Sequence, residues 1–120
     1  MSERTFRFLL IPIFIFYALI FTKIISGVIT LGRLPMFEDR FGNPPVYPIM
    51  LFSSDTDGII LLILHFLSIL CFLSLIPVSI NIGEAKKNKY NKWLIFTIAL
   101  ITFHFILFKS SAIGFATWFS

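Results

Sequence analysis

The sequence predicts an all-α fold: an integral membrane bundle of three transmembrane helices with one long proline-rich external loop and one short basic loop. Three observations carry that expectation. Apolar residues make up 58% of the 120 positions and charged residues 13%, with a mean hydropathy of +0.93. That leaves too little polar surface to cover a water-soluble globule of this size. The apolar residues gather into three runs, each long enough at ~1.5 Å rise per residue to cross a ~30 Å hydrocarbon core. The charges collect mainly between the runs. A chain of this length has room for one membrane domain, residues 1–120, and no second one of ordinary size.

The first run, 8–31, is interrupted only by Lys23, and Pro12 falls in its first turns, where a missing N–H is tolerated. Arg4 and Arg7 ahead of it resemble the basic region of a signal peptide. No small-residue cleavage site follows, and apolar character resumes at Ile24, so an uncleaved anchor is expected. Residues 32–56 carry four prolines, charges of both signs and several aromatics. Pro44, Pro45 and Pro48 lack backbone donors and push their predecessors towards extended conformations, which excludes a spanning helix and predicts a loop lying against the membrane surface.

Ser54 followed by Asp57 resembles a capping box and starts the second span, 57–82. From Gly58 to Gly83 there is no charged residue over 26 positions. Pro77 is expected to kink its last third and Gly83 to stop it. The basic loop 83–92 leads into a third span, 93–118, bracketed by Trp93 and Trp118 as interfacial anchors.

The net charge of +4 does not indicate nucleic acid, because Lys86, Lys87, Lys89 and Lys92 crowd one short connector. Together with Arg4 and Arg7 they act as topology determinants that put the N-terminus in the cytoplasm and the C-terminus outside, in a multi-pass cell-membrane protein. Membrane lipids are then obligatory neighbours. The single cysteine, Cys71, allows neither an internal disulfide nor a cysteine metal cluster. No P-loop, dinucleotide fingerprint, zinc motif or nucleophile elbow occurs, so no enzyme activity, metal or cofactor is expected from motifs. No Asp or Glu is expected inside a span, which argues against a proton-coupled antiporter.

The run LGRLPMF with the later GNPPVYP resembles loops of small multi-pass bacterial membrane proteins of unknown function. That resemblance implies a bacterial inner membrane and carries no activity. Glu38 and Asp39 stand apart from the prolines, whereas such loops pair an acidic residue with proline.

Two functional expectations follow from the residues. The first is a non-enzymatic accessory or immunity-type protein that binds another membrane protein, or itself, through Arg33, Phe37, Glu38, Asp39, Arg40 and Tyr47 of the external loop. The second is a lipid- or small-molecule-handling protein with a polar site in the outer half of the bundle, built from His65, His104, Lys23 and Lys109, with Ser68 placed to satisfy His65. On the first span Lys23, Ser26, Gly27 and Thr30 share a helical face, and on the third Thr97, His104 and Ser111 recur every seven, so both faces should turn inward. A haem-binding electron carrier is a third expectation, resting on His65 and His104 alone.

Overall fold

The computed structural model describes residues 3–86 and 91–117, without the side chains of Ser54 and Lys86. Lys87 and Lys89 of the basic connector, and Trp118, lie outside the described residues. The described chain forms α1 (Glu3–Leu31), a 3₁₀ turn (Phe37–Phe41), α2 (Ser54–Lys86), α3 (Lys92–Leu107) and α4 (Ser111–Thr117). They make a rod with extents of 58 × 25 × 20 Å.

Helix α1 ends where the sequence has Gly32. Its N–H bonds the Val28 carbonyl at 2.8 Å with φ +72, a left-handed cap that glycine adopts without Cβ strain. Helix α2 starts one residue earlier than its capping pattern suggested. Ser53, not Ser54, is the capping residue: its hydroxyl accepts the Thr56 N–H at 3.1 Å, while its carbonyl receives the first helical bond from Asp57 N–H. Gly83 does not stop α2, which runs on to Lys86 with Pro77 inside it. Asn91 caps α3, its side-chain oxygen accepting the Leu94 N–H at 3.2 Å while its amide donates to the Ser79 carbonyl at 2.9 Å.

Helices α1 and α2 are each long and apolar enough to cross a membrane. The third span is not the straight helix expected for 93–118. Helix α3 stops at Leu107, and α4 leaves it at 84°, so the pair forms one broken span or a re-entrant segment. Ser110 caps the new helix at the turn, its hydroxyl accepting the Ala112 N–H at 3.2 Å. At 16 residues α3 alone rises ~24 Å, short of a ~30 Å core.

The core lies along α1 and α2. Phe6, Ile13, Phe16, Ile20 and Ile24 of α1 meet Leu61, Phe72, Leu75, Val78 and Ile82 of α2, with Cys71 buried among them as a small apolar side chain. The outward faces are equally apolar. Phe8, Ile29, Phe66, Leu73 and Phe105 are each more than half exposed, a pattern suited to a lipid solvent and costly in water.

Helix α4 packs in the angle between α1 and the 3₁₀ turn, with Phe115 fully buried against Gly27. A Cβ at Gly27 would sit 2.6 Å from Phe115 Cε1 and 2.8 Å from Pro35 Cγ, so glycine is required by close approach. A Cβ at Gly58 of α2 meets nothing within 4 Å. Gly27→Val should therefore destabilise the fold by about 1–3 kcal/mol through overpacking. Gly58→Ala should stabilise it by up to about 1 kcal/mol through helix propensity. Thermal unfolding in mild detergent reads both, and equal effects at the two glycines would show that α4 does not seat on Gly27.

Candidate functional site

The polar site sits at the end of the bundle where α1 finishes and α2 begins. Lys23 is buried at 3% exposure, and its ammonium lies 2.8 Å from Asp57 Oδ2 and donates at 2.8 Å to the Ile49 carbonyl. Asp57 also accepts the Leu51 N–H on Oδ2 at 2.8 Å and the Phe52 N–H on Oδ1 at 3.0 Å. Ser26 completes the clasp, accepting the Ile49 N–H at 3.0 Å while donating to the Lys23 carbonyl. One helix lysine and one helix carboxylate thus tie down the backbone of residues 49–52. An intramembrane lysine without such a partner costs about 2.5–3.5 kcal/mol on insertion scales.

Asp57 was expected only as a capping carboxylate at the span boundary. It is instead the counter-ion of Lys23, so a buried carboxylate does lie within the described second span, contrary to the reading that no acid does.

Arg40 is the second buried cation, at 3% exposure. The 3₁₀ turn aims it inward, where Nε donates to the Phe115 carbonyl at 2.8 Å and the guanidinium lies 5.8 Å from the Phe115 ring centroid. Burial pushes its pKa down to about 10, with the Tyr47 phenol opposing the shift, so the group stays charged at neutral pH. Lys23, Arg40 and Asp57 line one cavity of about 350 Å³, together with Tyr47, Pro48, Met50, Gly58, Leu61, Ala116 and Thr117.

The remaining loop residues are largely engaged within the fold. Arg33 grips Asp39 bidentately at 2.7 and 2.9 Å, and Asp39 reaches back to the Met36 N–H at 2.8 Å. The Arg33 contact and the Met36 N–H hold the Asp39 carboxyl below its ordinary range, and the same contact raises Arg33. The Phe37 N–H donates to the Ser111 hydroxyl at 2.9 Å, and that hydroxyl approaches Glu38 at 3.5 Å. The partner-contact charges named from the sequence therefore hold the loop to itself and to α4.

The four intramembrane candidates do not form one site. His65 and His104 do meet, stacked at 5.5 Å between ring centroids and 14° between planes, among Phe16, Phe72 and Phe108. The Tyr17 hydroxyl and His104 Nδ1 share a hydrogen bond of 2.9 Å. Lys23 lies six residues beyond Tyr17 on α1, about 9 Å further along the axis, and belongs to the cavity. Lys109 is exposed, with its ammonium 4.7 Å from the Phe105 ring centroid. Ser68 is fully buried, and its hydroxyl has no hydrogen-bond partner among the described residues, so it does not satisfy His65. Thr30 points outward and bonds the Ser26 carbonyl instead of facing the bundle. Imidazole lone pairs lie in the ring plane, so two rings stacked face to face do not converge on an iron between them. The paired histidines do not fit axial haem ligation.

At the opposite end, a groove of about 420 Å³ lies between α1 and α3, lined by Phe6, Arg7, Leu10, Lys92, Trp93 and Phe96. Arg4 is exposed near it, and Arg7 pairs with Glu3 at 3.9 Å. Ser79 and Thr97 hydrogen-bond at 2.7 Å between α2 and α3, which places Thr97 inward as its spacing predicted.

The architecture defines a class: a small α-helical protein with two candidate membrane spans, or three if the bent α3–α4 pair counts as one. Compared with protein-family models, curated proteins and solved structures, the chain matches none.

Breaking a buried ion pair costs about 3–5 kcal/mol when one charge is left alone. Lys23→Met should show a loss of that order. Asp57→Ala should lose more, because the Leu51 and Phe52 N–H groups also lose their acceptor at about 1–3 kcal/mol each. Adding Lys23→Met to Asp57→Ala should cost little further. Chemical unfolding of the three variants checks the order, and a larger loss for Lys23→Met than for Asp57→Ala would show that the loop amides find other acceptors.

Proposed function

We propose that this chain is a non-enzymatic, multi-pass membrane protein that holds a small amphiphilic molecule in the cavity at its loop end. The observation that carries this reading is the composition of that cavity. Its walls combine two buried cations and one buried carboxylate with the apolar side chains of Met50, Leu61 and Ala116. At about 350 Å³ it falls at the lower end of the ~300–1,000 Å³ range of small-molecule sites. Its lining comes from α1, the loop, α2 and α4, so the site requires the whole fold.

The basic residues Arg4, Arg7 and Lys92 lie at the opposite end of the bundle from the cavity, and positive charge favours the cytoplasmic side. In this reading the cavity faces outward. A reporter active only in the cytoplasm should give signal when fused after Asn88 and none when fused at the C-terminus. The reverse pattern sinks the orientation.

A second reading is supported by the exposed apolar residues Leu34, Met36, Phe41, Met50 and Phe52, in a loop held rigid by Asp57 and Arg40. Such a surface suits contact with another membrane protein or a second copy. One measurement addresses both readings. Native mass spectrometry from mild detergent should detect a small bound amphiphile on the wild-type protein and none on Gly58→Leu, whose added side chain enters the cavity wall. Equal retention by both proteins removes the cavity reading. A lone monomer in every charge state removes the partner reading.

A further inference from the structure

We propose that the groove between α1 and α3, at the end of the bundle away from the cavity, docks an anionic phospholipid, with its phosphate on Arg7 and Lys92 and an acyl chain along the seam. This goes beyond the cavity reading and uses none of its residues. Three observations carry it.

The first is the seam itself. Helix α1 packs along α2 and α2 along α3, whereas α1 and α3 are joined chiefly through side-chain rings. At the basic end the bridge is Phe6, whose ring meets Trp93 edge-on at 5.0 Å and Phe96 at 6.1 Å. Phe6 is buried and closes the bottom of the groove, with Leu10 and Phe96 as its apolar sides.

The second is the charge of the rim. Arg7 and Lys92 line the groove from its two helices, and no described acidic residue lines it. Glu3 comes no nearer to the Arg7 guanidinium than 3.9 Å, beyond hydrogen-bond distance, and Lys92 takes part in no ion pair among the described residues. An exposed pair such as Glu3 with Arg7 is worth little, so a phosphate loses little by competing with it. Over residues 1–7 and 83–92 of the sequence, Arg4, Arg7, Lys86, Lys87, Lys89 and Lys92 outnumber Glu3 and Glu84. Basic pockets between membrane helices are the setting in which anionic headgroups are recognised. A zwitterionic headgroup would bring its own ammonium towards the same two cations.

The third is size and continuation. At ~30 Å³ per water-sized group, 420 Å³ accommodates on the order of a dozen such groups, which is a phosphate, its glycerol and the start of one chain. Apolar surface continues from there. Phe14 follows Leu10 by about one turn of α1, and Phe103 follows Phe96 by about two turns of α3, with exposures of 49% and 43%. Trp93 beside the rim is the residue type that favours the boundary between headgroups and hydrocarbon. A free phosphate would use the rim and leave this apolar surface without a neighbour, whereas a lipid uses both.

The test offers the full chain in dodecyl maltoside an equimolar mixture of dioleoyl phosphatidylglycerol and dioleoyl phosphatidylcholine, and native mass spectrometry reads the lipid retained. Two basic contacts predict that phosphatidylglycerol is retained about tenfold or more over phosphatidylcholine. Arg7→Gln combined with Lys92→Gln should bring the two lipids to near-equal retention. Both side chains are exposed, so the paired variant should unfold at the same temperature as the wild-type protein in lipid-free detergent. Lys109→Gln, which removes an exposed charge outside the groove, should keep the preference. Gly58→Leu should keep it too, because Gly58 belongs to the cavity, so the outcome is separate from the fate of the cavity reading. Equal retention of the two lipids by the wild-type protein, or retention of neither, overturns the anionic phospholipid. A preference that survives in the paired variant, or is lost as fully in Lys109→Gln, overturns the assignment to this groove. A polypeptide retained in place of lipid, and lost in the paired variant, overturns lipid as the occupant.

Discussion

The buried contact between Lys23 and Asp57 is the constraint on which the loop end of this molecule depends. Two helices otherwise meeting through apolar side chains can slide or rotate at modest cost, since lipid tails compete with leucine as neighbours. A charge pair in the same place is far less forgiving. An ammonium and a carboxylate 2.8 Å apart admit one register between α1 and α2, and a one-turn slip would leave both charges in hydrocarbon. The pair also spends its remaining capacity on backbone. Through Asp57 and Ser26 it binds the amides of Ile49, Leu51 and Phe52, a stretch with no regular secondary structure to satisfy them. A buried pair of this kind contributes specificity more than net stability, because an apolar substitute of the same shape would avoid the desolvation cost altogether.

The second constraint is the break after α3. A straight third span would carry residues 111–117 away from α1. The turn at Ser110 sends them back, and the lack of a side chain at Gly27 lets the Phe115 ring approach α1 closely. Phe115 then presents its carbonyl and its ring to Arg40. The cavity exists because these three pieces close around it: an ion pair from α1 and α2, a cation from the 3₁₀ turn, and a short helix folded back from α3.

Between the two ends lies a layer of a different kind. Tyr17, His65 and His104 pack within a group of phenylalanine rings, and the hydrogen bond shared with Tyr17 gives His104 a polar partner in an apolar setting. Stacked aromatic and imidazole rings supply packing as well as polarity. The arrangement accounts for two histidines in the spans without invoking a ligand, and it separates them from the charged cavity by about two turns of helix.

The three apolar runs and the loop between the first two were legible in the sequence because each rests on local properties. A residue's hydropathy and a proline's missing donor do not depend on what packs nearby. The inward faces of Ser26, Gly27 and Thr97 were legible for the same reason, through helical periodicity. The Ser110–Ser111 pair after Lys109 was a readable cap signal inside the third run, but hydropathy alone reads through it. The cavity was not legible. Its three charges stand at positions 23, 40 and 57, on a helix, a turn and a second helix, and nothing local relates them. Arg40 looked like a solvent-facing loop charge and Asp57 like an ordinary helix cap, because burial and pairing are set by the distances that only the folded chain creates. Lys23 could be marked from its sequence as a charge needing a partner. Which carboxylate answers it is decided by register between helices, a property of tertiary structure that no single stretch of the chain contains.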